Sequence, residues 1–185
     1  LHYDTTVGSV GGIVGFIHQT DIGDSHYLGQ ITPTGSPADN IGGIAGRMED
    51  ASITNSYSAG SIQGGSYMGG LAGTFKNSVI TFSYSKTRIY GSGAGSGLGG
   101  IVGNIEGGTA MTPAHANITD VFYTIETIDG TGVDRVGGII GGIAPFTNGN
   151  LDRSYFFGNL TGNPPTTFEL VGENASAGMS FSGLF

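Results

Sequence analysis

Apolar residues and glycine recur in a fixed order along this chain. A block of apolar–Gly–Gly–apolar–small–Gly occurs five times, and a further apolar residue stands two positions beyond each block. The blocks are Val10–Gly15, Ile41–Gly46, Met68–Gly73, Leu98–Gly103 and Val136–Gly141. Because side chains alternate between the two faces of a strand, this pattern predicts a short strand in each block, with Ile13, Gly15 and Ile17 on one face. A glycine between two large inward residues leaves room in a narrow core, and it also permits a bend or a corner with positive φ.

A second block follows each first one and reads apolar–x–x–Ser–aromatic–x–x–Gly–x–apolar. Its clearest copy is 53–62, and the others begin at Ile22, Ile80, Ile118 and Leu151. The fourth copy departs from the pattern, with Val121 in the serine slot, Ile125 in the glycine slot and Ile128 one place late. If the copies stack, residues in equivalent slots lie above one another. We therefore predict a serine column and an aromatic column of His26, Tyr57, Tyr84, Phe122 and Tyr155.

The repeat length favours a solenoid. From one Gly-Gly pair to the next, the steps are 31, 27, 30 and 38 residues. One copy buries too little apolar surface to fold alone, whereas stacked copies share a core and pair each backbone edge with the next copy. We predict an all-β chain in which residues 1–160 form a parallel, β-helix-like β-solenoid of about five rungs. The blocks then stop and Asn163-Pro164-Pro165 interrupts any strand, so residues 161–185 are expected to cap the last rung or to dock on another subunit.

The two-block unit resembles the GLUG repeat, which is named for its Gly-Leu-hydrophobic-Gly core. The resemblance lies in Gly43-Ile44-Ala45-Gly46 followed by the serine–aromatic block of 53–62, and it covers about residues 8 to 160. It implies a repeat of large secreted or surface-attached, adhesin-like proteins, mostly microbial. Such repeats also flank the catalytic part of some immunoglobulin-A-cleaving metallopeptidases, where they look like scaffolding. The resemblance therefore implies no catalytic residue.

Composition narrows the possible functions. The chain of 185 residues has 37 glycines, no cysteine, six basic residues and a net charge of −8. Disulfide frameworks and thiolate metal sites are excluded without cysteine. A chain with so little basic charge offers nothing to hold a phosphate backbone, so no nucleic-acid partner is expected. The longest apolar run is much shorter than the roughly 20 residues of a spanning helix, so no membrane span is expected either.

The densest polar cluster contains Asp21 and Asp24 together with His18 and His26. Carboxylate and imidazole groups can bind a metal ion, and Asp21 and Asp24 with loop carbonyls would suit Ca²⁺, which takes flexible oxygen ligands. The alternative is a turn between two strands, with His26 in the aromatic slot. The two aspartates remain weak candidates for a calcium site, and no other cofactor is expected.

Paired carboxylates could also hydrolyse glycosides, and Glu49 with Asp50 or Asp129 with Asp134 are the candidates. These residues lie in turn-like stretches, where solvated loop charges explain them better than catalysis does. We expect a non-enzymatic, extracellular or cell-surface module with a structural or adhesive role. Its expected partners are flanking repeats of a longer surface protein, other copies of itself, or a host or glycan ligand.

Two other functions stay open. The first is a self-assembling extracellular fibre subunit, whose end rungs would pair strands with neighbouring copies. The second is a β-helix enzyme that acts on glycans. Loops inserted on one face of a solenoid often build its binding surface, and the longest here are 32–40, 91–97 and 107–117.

Overall fold

The chain winds into a stack of parallel strands. A computed structural model describes residues 8–33, 38–91, 96–162 and 170–184. Within these ranges every regular element is a β-strand. The described residues therefore contain no helix that is long and apolar enough to cross a membrane. All strand pairs are parallel, and they form three sheets around a solenoid of about five turns. The predicted all-β, parallel β-solenoid fold is confirmed.

Each rung contributes one strand to the first sheet, one to the second, and one or two to the third. The first rung contains β1 (Ser9–Gly11), β2 (Val14–His18), β3 (Asp21–Gly23) and β4 (His26–Ile31), and the second β5 (Ala38–Gly42), β6 (Ala45–Glu49), β7 (Ser52–Thr54) and β8 (Tyr57–Gln63). The third contains β9 (Gly65–Gly69), β10 (Ala72–Lys76) and β11 (Ser78–Tyr90), and the fourth β12 (Gly97–Gly99), β13 (Val102–Ile105) and β14 (Ala114–Gly130). The fifth contains β15 (Arg135–Gly137), β16 (Ile140–Ile143) and β17 (Thr147–Gly162).

The tail adds part of a further rung. Strands β18 (Val171–Asn174) and β19 (Gly178–Leu184) extend the second and third sheets by pairing with β16 and β17. The carbonyl of Leu170 accepts the N–H groups of Ile139 and Ile140 at 2.9 Å each, as the carbonyl of Ile139 does for the preceding rung. The tail thus covers the fifth rung at the edges of the second and third sheets, while its docking on another subunit stays a prediction. The prolines at 164 and 165 lie outside the described residues.

The first block is a corner and not one strand, which corrects the sequence interpretation. In the first rung, the strand of the first sheet ends at Gly11 and that of the second sheet begins at Val14, so Ile13 lies in the bend between them. Gly15 and Ile17 do share one strand, and Ile17 is buried. Ile13 is 46% exposed at the end of the stack, whereas its equivalent Ile44 is fully buried one rung further on.

The block glycines are required because backbones touch. A Cβ atom added at Gly42 would collide with the carbonyl of Ala45 and would lie 2.6 Å from that of Leu71. One added at Gly46 would lie 2.6 Å from the carbonyl of Gly15 and would strike the backbone of Val10 in the first sheet. No block glycine has a left-handed φ, so the predicted positive-φ corner is wrong for them. Their role is close approach.

Left-handed backbone occurs elsewhere, in two columns of residues with side chains. One column immediately precedes the serine slot, and the other follows the strands of the second sheet. The first contains Asp24, Asn55, Phe82, Asp120 and Arg153, and the second contains Gln19, Asp50, Asn77 and Phe146, all with φ between 42° and 57°. Each such residue interrupts the extended backbone, either between two strands or within one, so the next N–H needs another acceptor.

The serine column supplies that acceptor. Ser56 donates its N–H to the Oγ of Ser83 at 3.1 Å, and that Oγ donates to the carbonyl of Thr81 at 2.8 Å. Ser25 donates its N–H to the Oγ of Ser56 in the same way. The second corner repeats the device, since Ala51 donates its N–H to the Oγ of Ser78. The predicted serine column is therefore a hydrogen-bonding ladder between rungs.

The aromatic column also forms. Successive rings of His26, Tyr57, Tyr84 and Phe122 stack with centroids 5.0, 4.8 and 4.7 Å apart and planes within 6°. Tyr155 pairs in register with Phe122. These rings lie on the outer face of the third sheet, while the isoleucines on either side of them point into the core.

The irregular fourth copy is accommodated by a bulge. Strand β14 pairs in register with β11 through Tyr123, shifts, and resumes with Ile128 opposite Ile89. Both isoleucines are fully buried. One extra residue in a strand is the definition of a β-bulge, so the late position of Ile128 in the sequence keeps its side chain in the core.

The substitution Gly42→Ala tests the backbone contact. The new Cβ meets only backbone atoms, which cannot move independently, so we expect the free energy of unfolding to fall by about 3 kcal/mol or more. Urea denaturation followed by circular dichroism measures this. Gly23→Ala is the matched control, because its Cβ would meet nothing closer than 3.9 Å, and an equal loss in both variants would contradict the explanation.

Phe82→Asn should stabilise the fold. Phe82 has φ 49° and is 64% exposed, so its ring gains little from burial while its backbone is strained. Asparagine tolerates the left-handed region much better, and Asn55 already occupies this column in the preceding rung. We expect a gain of roughly 1 kcal/mol, measured by thermal unfolding. Phe157→Asn, at an exposed position without positive φ, should give no such gain.

Candidate functional site

Asp21 and Asp24 lie at the start and just past the end of β3, on the outer face of the third sheet. The carboxylate of Asp21 accepts a hydrogen bond from the Oγ of Ser52 at 2.6 Å, and that of Asp24 accepts one from the amide of Asn55. Both aspartates are therefore engaged with the next rung. Among the residues that the structure describes, no three His, Asp or Glu side chains come together as a metal site would require. The calcium site stays a prediction.

The two carboxylates of a pair considered for glycoside hydrolysis contact different side chains. Glu49 contacts Lys76 at 3.3 Å, whereas Asp50 contacts His18 at 3.5 Å. Asp129 accepts hydrogen bonds from the N–H and the Oγ1 of Thr131, and these lower the pKa of its carboxyl. Glu49, Asp50 and Asp129 thus each have a structural partner within the chain.

The outer face of the third sheet combines apolar side chains with ion pairs between rungs. Eight large apolar side chains of this face are at least 37% exposed: Leu28, Val79, Phe82, Tyr90, Phe122, Tyr155, Phe157 and Phe181. Arg88 pairs with Glu126 at 2.6 Å, and Arg153 holds both oxygens of Asp120 at 2.7 Å. The hydrogen bonds from Arg153 lower the pKa of Asp120.

The insertion in the fourth rung creates a cavity. Of the three insertions, 32–40 and 91–97 each include residues outside the described ranges, namely 34–37 and 92–95. The loop 107–113 is described in full. Together with the end of β10 it forms the walls of a cavity of about 320 Å³ that is partly open to solvent. The cavity is lined by Lys76, Asn77, Gly107, Gly108, Thr109, Thr112, Pro113 and Ala114.

Hydrogen bonds fix the shape of this loop. The carbonyl of Phe146 accepts the N–H of Gly108 at 3.2 Å and that of Ala114 at 2.9 Å, so one residue of the fifth rung holds both arms. At the tip, Thr109 donates its N–H to the carbonyl of Thr112 at 3.0 Å, and their hydroxyls lie 2.8 Å apart. These hydrogen bonds hold the loop that lines the cavity as a folded turn.

The third rung forms the other wall. Asn77 has φ 47°, and its Oδ1 accepts the N–H of His115 at 2.9 Å. Because a side-chain amide has its oxygen and nitrogen on opposite branches, the Nδ2 group is directed away from that bond. Lys76 has its side chain about one-third exposed. Sequence analysis proposed the loop as a binding surface, which stays a prediction, and did not include Lys76 and Asn77, although alignment of the rungs places Asn77 opposite His115.

Comparison with known proteins adds no further evidence. No family model, curated protein or solved structure gives a significant match to this chain.

Arg153→Gln tests the electrostatics of the outer face. A folded-state pKa below the ordinary 3.8 means that the pair contributes stability above that pH and loses it as pH falls through the lowered value. Without the guanidinium, the pKa of Asp120 should rise towards 3.8, as followed by NMR of the carboxyl carbon. Arg88→Gln removes a cation that pairs with Glu126 instead, so it should leave Asp120 unchanged. An unaltered Asp120 pKa in Arg153→Gln would contradict the pairing.

Proposed function

We propose that this chain is a non-enzymatic structural and adhesive module that acts outside the cell, as part of a surface or adhesin-like protein. The observation that carries the proposal is the use of charged side chains to join rungs. Arg47 reaches Glu106 two rungs away at 2.9 Å, and Lys76, Arg88 and Arg153 each pair with a carboxylate of a neighbouring rung. Such pairs couple successive rungs and stiffen the stack.

Two further features support this role. A solenoid in which hydrogen-bonded strands join successive rungs in all three sheets resists bending. This property suits a stalk that holds a binding surface away from its anchor. The repeat pattern also resembles GLUG repeats, which implies secreted or surface-attached proteins. Both features concern the scaffold, so the ligand has to be sought in the loops.

The fibre subunit remains a second proposal, because both ends of the stack offer surface. Ile13 and Phe16 in the first rung are 46% and 49% exposed. The outer edge of β19 has no strand partner among the described residues. Unpaired edges can accept a strand from another copy, and such head-to-tail contacts generate filaments when they do not close.

Labelling of intact source cells tests the extracellular role. An antibody raised against the purified chain should label unpermeabilised cells or recover the chain from the medium. Beads coated with the chain should also adhere to glycan-bearing surfaces, whereas beads coated with the destabilised Gly42→Ala variant should adhere less. Labelling that appears only after lysis would contradict the proposal.

Negative-stain imaging separates the two proposals. A stalk module gives short single particles at all concentrations, whereas a fibre subunit gives filaments that lengthen as concentration rises. A folded domain fused after residue 185 should stop growth of filaments by covering the β19 end. Filaments that persist in this fusion would exclude end-to-end strand pairing.

A further inference from the structure

We propose that the cavity of the fourth rung binds one uncharged sugar ring. A volume of about 320 Å³ lies near the lower end of the range for small-molecule sites, which begins at about 300 Å³. The cavity therefore has room for one ring. It also lies where the repeat is interrupted, and insertions are where solenoids place binding surfaces.

The polar groups of the lining match a ring of hydroxyls. The hydroxyls of Thr109 and Thr112 bond to each other, and that of Thr109 also accepts the N–H of Thr112, so the pair still offers a ligand one donor and two acceptor positions. Asn77 offers N–H donors from the branch opposite its bond to His115. Lys76 adds donors at the other wall. No carboxylate lines the cavity, and Pro113 and Ala114 supply small apolar surface. The lining thus combines donors, acceptors and apolar surface, as a sugar ring does.

The surrounding charge favours a neutral ligand. Lys76 is already 3.3 Å from Glu49, and Arg47 is paired with Glu106 at 2.9 Å. Two cations and two anions therefore balance beside the cavity, within a chain whose net charge is −8. A phosphate or a carboxylate would compete with Glu49 for Lys76, whereas a hydroxyl needs only one of the ammonium N–H groups.

Phe146 fixes the loop that walls the cavity. Its carbonyl accepts the N–H groups of both arms of the loop, at Gly108 and Ala114. Its side chain is 51% exposed and does not line the cavity. Phe146 therefore holds the loop in shape, and the sugar meets only the lining residues.

This inference rests on the adhesive part of the proposed function and names its ligand class. The test is an NMR titration of the ¹⁵N-labelled full chain. The neutral probes are methyl β-glucopyranoside, methyl β-galactopyranoside and N-acetylglucosamine, and the anionic probes are glucuronate and inorganic phosphate. We expect at least one neutral sugar to shift the amides of 107–114 to saturation, and both anions to bind more weakly.

Two variants locate the sugar. Lys76→Met removes a donor, and Thr112→Val replaces a lining hydroxyl with a methyl group of similar size, so each should raise the Kd by about 3- to 10-fold. Lys86→Met and Phe82→Asn are matched controls on the third sheet and should leave the Kd unchanged. Thr112 is exposed, so Thr112→Val should at the same time keep the stability of the parent, which separates lost binding from lost folding.

The proposal is overturned if no neutral sugar saturates these amides, or if glucuronate or phosphate binds more tightly than every neutral sugar. Equal affinity of the parent, Lys76→Met and Thr112→Val would also overturn it by placing the sugar elsewhere. If surface labelling and bead adhesion succeed while the titration fails, the cavity assignment is wrong and the extracellular role stands.

Discussion

Direct backbone contact between the first and second sheets is the constraint on which the rest of this solenoid depends. Gly42 and Gly46 leave no space for a Cβ atom because carbonyl and amide groups of neighbouring strands already occupy it. With the sheets so close, that part of each rung holds no side chains. Large apolar residues must then fill the space towards the third sheet, where the isoleucine columns are fully buried.

Parallel, in-register stacking passes this constraint from rung to rung. When one glycine fixes the height of a corner, the corner above it must have the same shape, and every side chain stacks on its equivalent. Stacking favours residues that benefit from contact with themselves, such as serine, which both donates and accepts, and flat aromatic rings. In such a stack a charged residue would face the same charge in the next rung unless residues of opposite charge alternate along the column. Lys76 accordingly stands beside Glu49, and Arg153 beside Asp120.

The slots of the repeat could be predicted because identical residues recur in them. The serine and aromatic columns follow from spacing alone, and so does the late Ile128. The left-handed columns could not be found, because Gln19, Asp50, Asn77 and Phe146 share no chemical type. The corner inside the first block was missed for a related reason, since a strand and a tight bend both accept glycine. The sixth rung was hidden because Leu170-Val171-Gly172 retains only the end of the block.

The cavity lay beyond sequence reasoning because it belongs to no single rung. Its walls come from the end of β10 and from the loop before β14, and its loop is anchored by Phe146 of the fifth rung. A perfect repeat cannot build such a site, because every rung would carry the same shallow surface. The insertion makes the surface of the fourth rung differ from that of the other rungs, and the neighbouring rungs hold the inserted loop in place. A solenoid can therefore combine a uniform stack with one place whose surface differs from that of every other rung.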